Sequence, residues 1–281
     1  MTPLVFTLLV FGASGVAGFI GSLLGLGGGI IIIPVLTLGF GIDIHLAVGA
    51  SIISVIATSS GAAAAYVRDH LTNLRVAMFL EVGTTAGALS GAYLAGILAG
   101  RWLYVTFAVV LGFSAFAMFQ KRHSDPRAPV PPDRLADRLG LHGDTLGPGG
   151  VPGGYRVANS GLGLGLMYVA GVVSGLLGIG SGSLKVPAMD LAMHLPIKVS
   201  SATSNFMIGV TAAASAGVYF MRGQIDPSIA APVAAGVLVG AVIGSRLLPR
   251  LGGKTVRLAF VIVLAWVCLQ MFYKGVWGVG V

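Results

Sequence analysis

The chain has 281 residues, 56% of them hydrophobic and only 9% charged, with a net charge of +8 and a mean hydropathy of +0.93. A soluble domain carries roughly 25% charged residues, so this composition excludes an ordinary soluble protein and defines a polytopic membrane protein. The cations lie in loops between apolar runs, which speaks for membrane orientation rather than nucleic acid, and a single cysteine, Cys268, excludes an internal disulfide and cysteine-ligated metal centres.

The length rule for membrane spans places apolar segments at about 4–24, 30–38, 46–67, 76–98 and 102–120. The first has no basic n-region and continues past any cleavage site, so it reads as a retained helix. Residues 121–156 are rich in Pro, Gly, Arg and Asp and read as a polar, flexible linker with a short helix near Asp133–Leu141. The apolar segments then recur at about 160–177, 183–194, 200–221, 228–250 and 256–273. The segments at 30–38 and 183–194 are too short for straight spans and read as half-helices after a broken turn, crossing or re-entrant.

The two series are copies. Ser22-Leu-Leu-Gly-Leu-Gly-Gly-Gly-Ile-Ile-Ile-Ile-Pro34 is echoed 153 residues later by Gly175-Leu-Leu-Gly-Ile-Gly-Ser-Gly-Ser-Leu-Lys-Val-Pro187. The same offset pairs Ser51 with Ser204, Thr58 with Thr211, Tyr66 with Tyr219 and Gly91 with Gly244. Glycine-broken apolar segments at matching places in two halves are the pattern of a secondary transporter's binding site.

Positive charge decides how the halves are related. If each half makes an odd number of crossings, 13 of the 17 lysines and arginines fall on one side, with Arg101, Arg222 and Lys274 opposite and Lys185 inside the membrane. An even number splits them 10 to 6. Cytoplasmic loops carry the excess of cations, so the expected fold is all-α and polytopic, with two inverted-topology repeats. It comprises about eight full spans plus short half-helices: a first repeat at 1–120, a cytoplasmic linker at 121–158 and a second repeat at 159–281, with both termini external.

The candidate binding residues follow from this frame. Gly27, Gly28 and Gly29, with Gly180, Ser181, Gly182 and Ser183, would present backbone N–H groups and two hydroxyls to an anion at a half-helix start. The bland alternative is close helix packing by small residues. Lys185 stands in an otherwise uncharged segment, either attracting an anionic substrate or snorkelling or pairing permanently with Asp190. Ser51 and the Thr203-Ser204-Asn205 run offer uncharged ligands for oxyanion oxygens, or serve only as caps at helix starts. Glu81 and Asp190 are the proton-coupling candidates. Against these stand an ion pair of Glu81 with Arg75 or Arg68, and a simple Asp190–His194 pair. The five histidines lack ligand spacing and no hydrolase or ATPase motif occurs, so neither a metal, a cofactor nor an enzyme is expected.

The Gly-Leu-Gly-Gly-Gly-(x)4-Pro stretch at 25–34, its echo at 178–187 and the Ser-Ala-Thr-Ser run at 201–204 resemble the TauE/SafE family of membrane permeases. The resemblance covers roughly 18–119 and 171–272. It implies that Gly25, Gly27, Gly29 and Pro34, with Gly178, Gly180, Gly182 and Pro187, form the family's motifs. It also implies secondary transport of small sulfur-containing or organic anions such as sulfite, thiosulfate or sulfonates. Together these readings give a bacterial inner-membrane anion permease working by alternating access, with a small anion and the bilayer as partners, no nucleic acid, and a homo-oligomer left open. A channel-like anion conduit and a non-transporting membrane scaffold are the rivals.

Overall fold

Each half of the chain folds into the same succession of elements in a computed structural model that describes residues 2–97, 100–120, 132–146 and 152–277. The first half runs α1 (Pro3–Leu24), α2 (Gly29–Pro34), a π-helical turn (Val35–Gly39), α3 (Ile44–Arg68), α4 (Leu74–Ala95) and α5 (Gly100–Gln120). The second runs α7 (Ser160–Leu177), α8 (Gly182–Pro187), a π-helical turn (Ala188–Ala192), α9 (Ile197–Met221), α10 (Pro227–Leu247) and α11 (Gly253–Trp277). Between them lie α6 (Arg134–Leu139) and a hairpin of β1 (Gly143–Leu146) and β2 (Pro152–Tyr155). Among the described residues, seven helices are long and apolar enough to cross a membrane. The eighth long helix, α4, has 22 residues but carries Arg75 and Glu81.

Local sequence explains the breaks. Both α1 and α7 stop at a glycine with left-handed backbone, Gly25 (φ 73°) and Gly178 (φ 66°), the usual way a helix ends without a Cβ clash. Pro34 and Pro187 then lack the N–H that would continue the α-helical ladder, and a π turn follows each one directly. The arm from Gly29 to Gly39 is 11 residues long. At ~1.5 Å per residue it covers about half of a ~30 Å hydrocarbon layer.

Packing shows the halves to be inverted. Gly15 abuts Gly236 and Phe19 lies beside Gly244, so α1 and α10 run parallel; Gly49 against Gln224 and Gly61 against Leu238 make α3 parallel to α10 as well. Gly83 against Leu164 and Gly91 against Val172 make α4 parallel to α7. The pairs Asn73–Thr203, Glu81–Thr211 and Ala92–Arg222 add α9 to that second group. Tight turns join α3 to α4 and α9 to α10, so the groups point in opposite directions. Each helix therefore opposes its counterpart, and the short arms return the chain as the charge distribution requires.

The repeats are not separate lobes. The most extensive helix packing is α1 on α10 and α4 on α7, each joining one half to the other. Glycine and serine at these seams bring the backbones close. One bundle is α1, α3 and α10; the other is α4, α7 and α9; α3 packs on α9 between them and α5 pairs with α11.

The described part of the linker is folded rather than flexible. Ala136, Leu141 and Val157 are buried against Val76, Leu80, Met193 and Val199. Asn73 Nδ2 donates to the Leu141 carbonyl and to the Tyr155 hydroxyl, both at 2.8 Å. Asp133 caps α6 and accepts from the amide and hydroxyl of Ser160, both at 2.6 Å. Desolvation pushes its carboxyl up, but these hydrogen bonds from Ser160, Ala136 and Leu135 outweigh it and hold Asp133 at about 2. The proline run at 129–131 and the glycine run at 147–151 lie outside the described residues.

Candidate functional site

The two glycine breaks touch at the centre of the molecule. A Cβ on Gly182 would strike the Gly25 carbonyl and the Leu26 backbone, and Gly27 and Gly180 both pack on Val55 and Ile208. Residues 21–34 are all buried, and so are 174–187 apart from Leu184. Gly28, Gly29, Pro34 and Pro187 fall within these stretches, so the structure brings both motifs together in one closed core.

A symmetric set of hydrogen bonds braces this core. Ser51 Oγ donates to the Gly178 carbonyl and Ser204 Oγ to the Gly25 carbonyl, both at 2.8 Å, so each half holds the other's helix end. The Tyr66 hydroxyl donates to the Ser22 carbonyl at 2.8 Å, and its counterpart Tyr219 to the Gly175 carbonyl at 2.6 Å. Asn205 Nδ2 adds a bond to the Ser22 carbonyl at 2.6 Å, and Thr203 Oγ1 accepts from the Asn73 amide at 3.0 Å. The capping role expected for the Ser51 and Thr203–Asn205 runs is overturned. The helices begin earlier, at Ile44 after the Asp43 cap and at Ile197 after Pro196. Ser51, Ser204 and Asn205 satisfy carbonyls that the breaks leave without an intrahelical partner, and Thr203 accepts from the start of α4.

Charge enters the core at one place. Lys185 is 0% exposed; its Nζ donates to Thr211 Oγ1 at 2.6 Å and reaches Glu81 Oε2 at 3.5 Å. Thr211 Oγ1 in turn donates to Glu81 Oε1 at 2.6 Å, and Thr85 Oγ1 donates to the same oxygen at 3.1 Å. Lys185 thus pairs with Glu81, not with Asp190, and Arg75 binds the Gly140 carbonyl instead of Glu81. Asp190 is held bidentately by Arg257 at 2.8 and 2.7 Å, which ties the π turn after α8 to α11.

Polarity separates the two breaks. The second carries Ser181, Ser183 and Lys185, where the first has Gly28, Ile30 and Ile32; on α9 Ser200, Ser201, Thr203 and Asn205 stand opposite Ala47, Val48, Ala50 and Ile52. Glu81 and Thr85, which face the second break, have Ala234 and Leu238 as counterparts. The hydroxyls of Ser181, Ser183, Ser200 and Ser201 and the Asn205 Oδ1 are buried with no protein partner. Ser181 also holds a left-handed backbone (φ 53°) that Gly28 (φ 68°) adopts without strain. A serine there costs about 1 kcal/mol or more, and an unpaired buried hydroxyl adds ~1–3 kcal/mol. Ser181 and Ser183 place two such hydroxyls on the second break itself, where the first has Gly28 and Ile30.

Inverted repeats with broken helices meeting in the core, one break carrying the polar groups, define a secondary-transporter architecture. The chain belongs to the sulfite exporter TauE/SafE family, whose model matches residues 10–271. It is similar to the probable membrane transporter protein YunE of Bacillus subtilis (strain 168), 28% identical over 268 residues that cover 93% of this chain and 95% of that protein. A probable membrane transporter protein of Xylella fastidiosa (strain 9a5c) is 25% identical over 245 residues, covering 86% and 85%. The probable membrane transporter protein YdhB of Bacillus subtilis (strain 168) is 26% identical over 232 residues, covering 82% and 84%. No solved structure matches the chain. The protein is a multi-pass membrane transporter.

Proposed function

We propose that the protein carries small sulfur-containing or related organic anions, of the sulfite, thiosulfate and sulfonate class, across the bacterial inner membrane by alternating access. The observation that carries this reading is the buried Lys185 beside the unpartnered hydroxyls of Ser181 and Ser183. An ammonium and hydroxyl donors in a water-poor site suit an oxyanion, whose oxygens accept from all three. The site belongs to the second break and to α4 and α9, displaced from the pseudo-twofold axis that relates Gly27 to Gly180. In this reading the linker faces the cytoplasm and both termini lie outside, following the cation bias.

The intertwined packing changes which parts move. A sequence half cannot rock as a body, because α1 is seated on α10 and α7 on α4. The α1–α3–α10 bundle moves against the α4–α7–α9 bundle, with the α3–α9 contact as the seam. The test is uptake of labelled sulfite, thiosulfate, sulfoacetate, taurine and chloride into proteoliposomes, together with thermal stability of the purified protein in the same anions. Expected are saturable uptake and a selective rise in melting temperature for one anion class, both lost in Lys185→Ala. Flux that never saturates or exchanges would favour the channel. The absence of both flux and thermal shift in well-folded protein would leave a scaffold.

A further inference from the structure

We propose that Glu81 acts as an internal stand-in for the substrate: its carboxylate occupies Lys185 and Thr211 when the site is empty, and an oxyanion takes its place when Glu81 is protonated. The inference rests on the transport reading above and deepens it by naming the coupling ion and the group that carries it.

The geometry has the form of an exchange site. Lys185 Nζ and Thr211 Oγ1 both address the Glu81 carboxylate, and Thr85 supplies a third donor to it. A carboxylate presents two oxygens on one planar group, the same face that a sulfonate or thiosulfate presents with one oxygen to spare. That extra oxygen needs a further donor, and the unpartnered Ser181 hydroxyl is one helical turn from Lys185 on α8. Lys185 cannot stay charged without an anion at this depth, because removing one member of a buried pair leaves an uncompensated charge out of water. Either Glu81 or the substrate must therefore be present, and the two compete.

Other charges do not take over Glu81's role. The helices packed on α4 are α7 and α9. On α7 the titratable side chain is Tyr168, which is exposed. On α9 Lys198 binds the Pro249 carbonyl, Tyr219 the Gly175 carbonyl and Arg222 the Ala92 carbonyl. On α8 only Lys185 is charged, and Arg75, earlier on α4, binds Gly140. Glu81 keeps a side-chain exposure of 12%, whereas Lys185 is fully buried.

The cycle balances. A proton moves from solution to the Glu81 carboxylate, the neutral acid leaves Lys185, and the oxyanion binds there. After the bundles reorient, the proton leaves to the other side as the carboxylate returns and expels the anion. One proton then accompanies each anion, and no site remains with an unpaired ammonium.

The experiment uses the full chain in proteoliposomes with thiosulfate, whose charge does not change across neutral pH, and an entrapped pH dye. Expected in the wild type are thiosulfate-dependent proton entry and an apparent affinity that weakens as pH rises, by up to about tenfold per pH unit for one coupled proton. Glu81→Gln, which mimics the protonated acid, should retain thiosulfate exchange while losing both the proton signal and the pH dependence. Wild-type thiosulfate flux with no proton movement would overturn the coupling and leave the transport reading intact. So would a Glu81→Gln protein whose pH dependence matched the wild type. Absence of flux for every anion tested would overturn both readings.

Discussion

The two glycine breaks have the same backbone and opposite chemistry. Gly25–Pro34 and Gly178–Pro187 share cap geometry, proline position, π turn and the reciprocal serine brace. The second break itself carries Ser181, Ser183 and Lys185 where the first has Gly28, Ile30 and Ile32, and Glu81 reaches Lys185 there; the α9 side chains of Ser204 and Asn205 brace the first break instead. In the transport reading proposed above, the symmetric features belong to the mechanics and the asymmetric ones to recognition.

The largest test of that division converts the second break to the first. Lys185→Ile leaves Glu81 buried without its partner and should cost about 3–5 kcal/mol in unfolding free energy, with loss of transport. Adding Glu81→Ala, which restores both counterpart residues, should return most of the stability, because apolar replacement of a buried pair is often neutral or better. Transport should stay absent. Denaturation and flux measured on the same preparations separate the two effects, and transport by the double variant would end the assignment of recognition to this pair.

A second test compares two glycines in matched positions. Gly182→Ala drives a methyl into the Gly25 carbonyl and the Leu26 backbone, whereas Gly29→Ala meets the Ser51 hydroxyl and Val55 side chain. Overpacking costs typically about 1–3 kcal/mol, with the larger value where backbone must move. Thermal melting should therefore rank Gly182→Ala as the more damaging. The reverse order would mean that the breaks do not meet as described.

The smallest effect is the most diagnostic. Ser181→Gly, again the counterpart residue, relieves a left-handed serine and removes an unpartnered hydroxyl. Stability should hold or rise by up to about 1 kcal/mol while thiosulfate affinity falls. A variant that loses stability and keeps its affinity would return Ser181 to a structural role.

The repeat, the spans, the broken arms and the inverted orientation were legible in the sequence because each depends on local composition or on a constant offset. Lys185 was legible as a single charge in an apolar run, and a short helix near Asp133–Leu141 was expected and found at Arg134–Leu139. The partners were not. Glu81 lies 104 residues from Lys185, and nothing in a linear pattern says which two helices will meet. The acceptors of Ser51 and Ser204 were hidden because they are backbone carbonyls of the opposite half, Gly178 and Gly25. The seams of α1 with α10 and of α4 with α7 were hidden for a related reason: small residues permit close approach without naming the neighbour. The linker looked unstructured because its order comes from docking onto Asn73, Val76 and Met193 rather than from its own composition.

The α1–α10 seam also sets a schedule for assembly. Gly18 must wait for Val237, which emerges 219 residues later. At ~5–20 residues per second this is on the order of 10–40 s of synthesis. During that interval the small-residue face of α1 has no native cover, whereas α7 meets α4 almost as soon as it leaves the ribosome. Nascent chains stalled before residue 227 should therefore hold α1 loosely, open to an insertase or a membrane protease. Quality control of this transporter then acts on its first helix, and its last hairpin is what releases it.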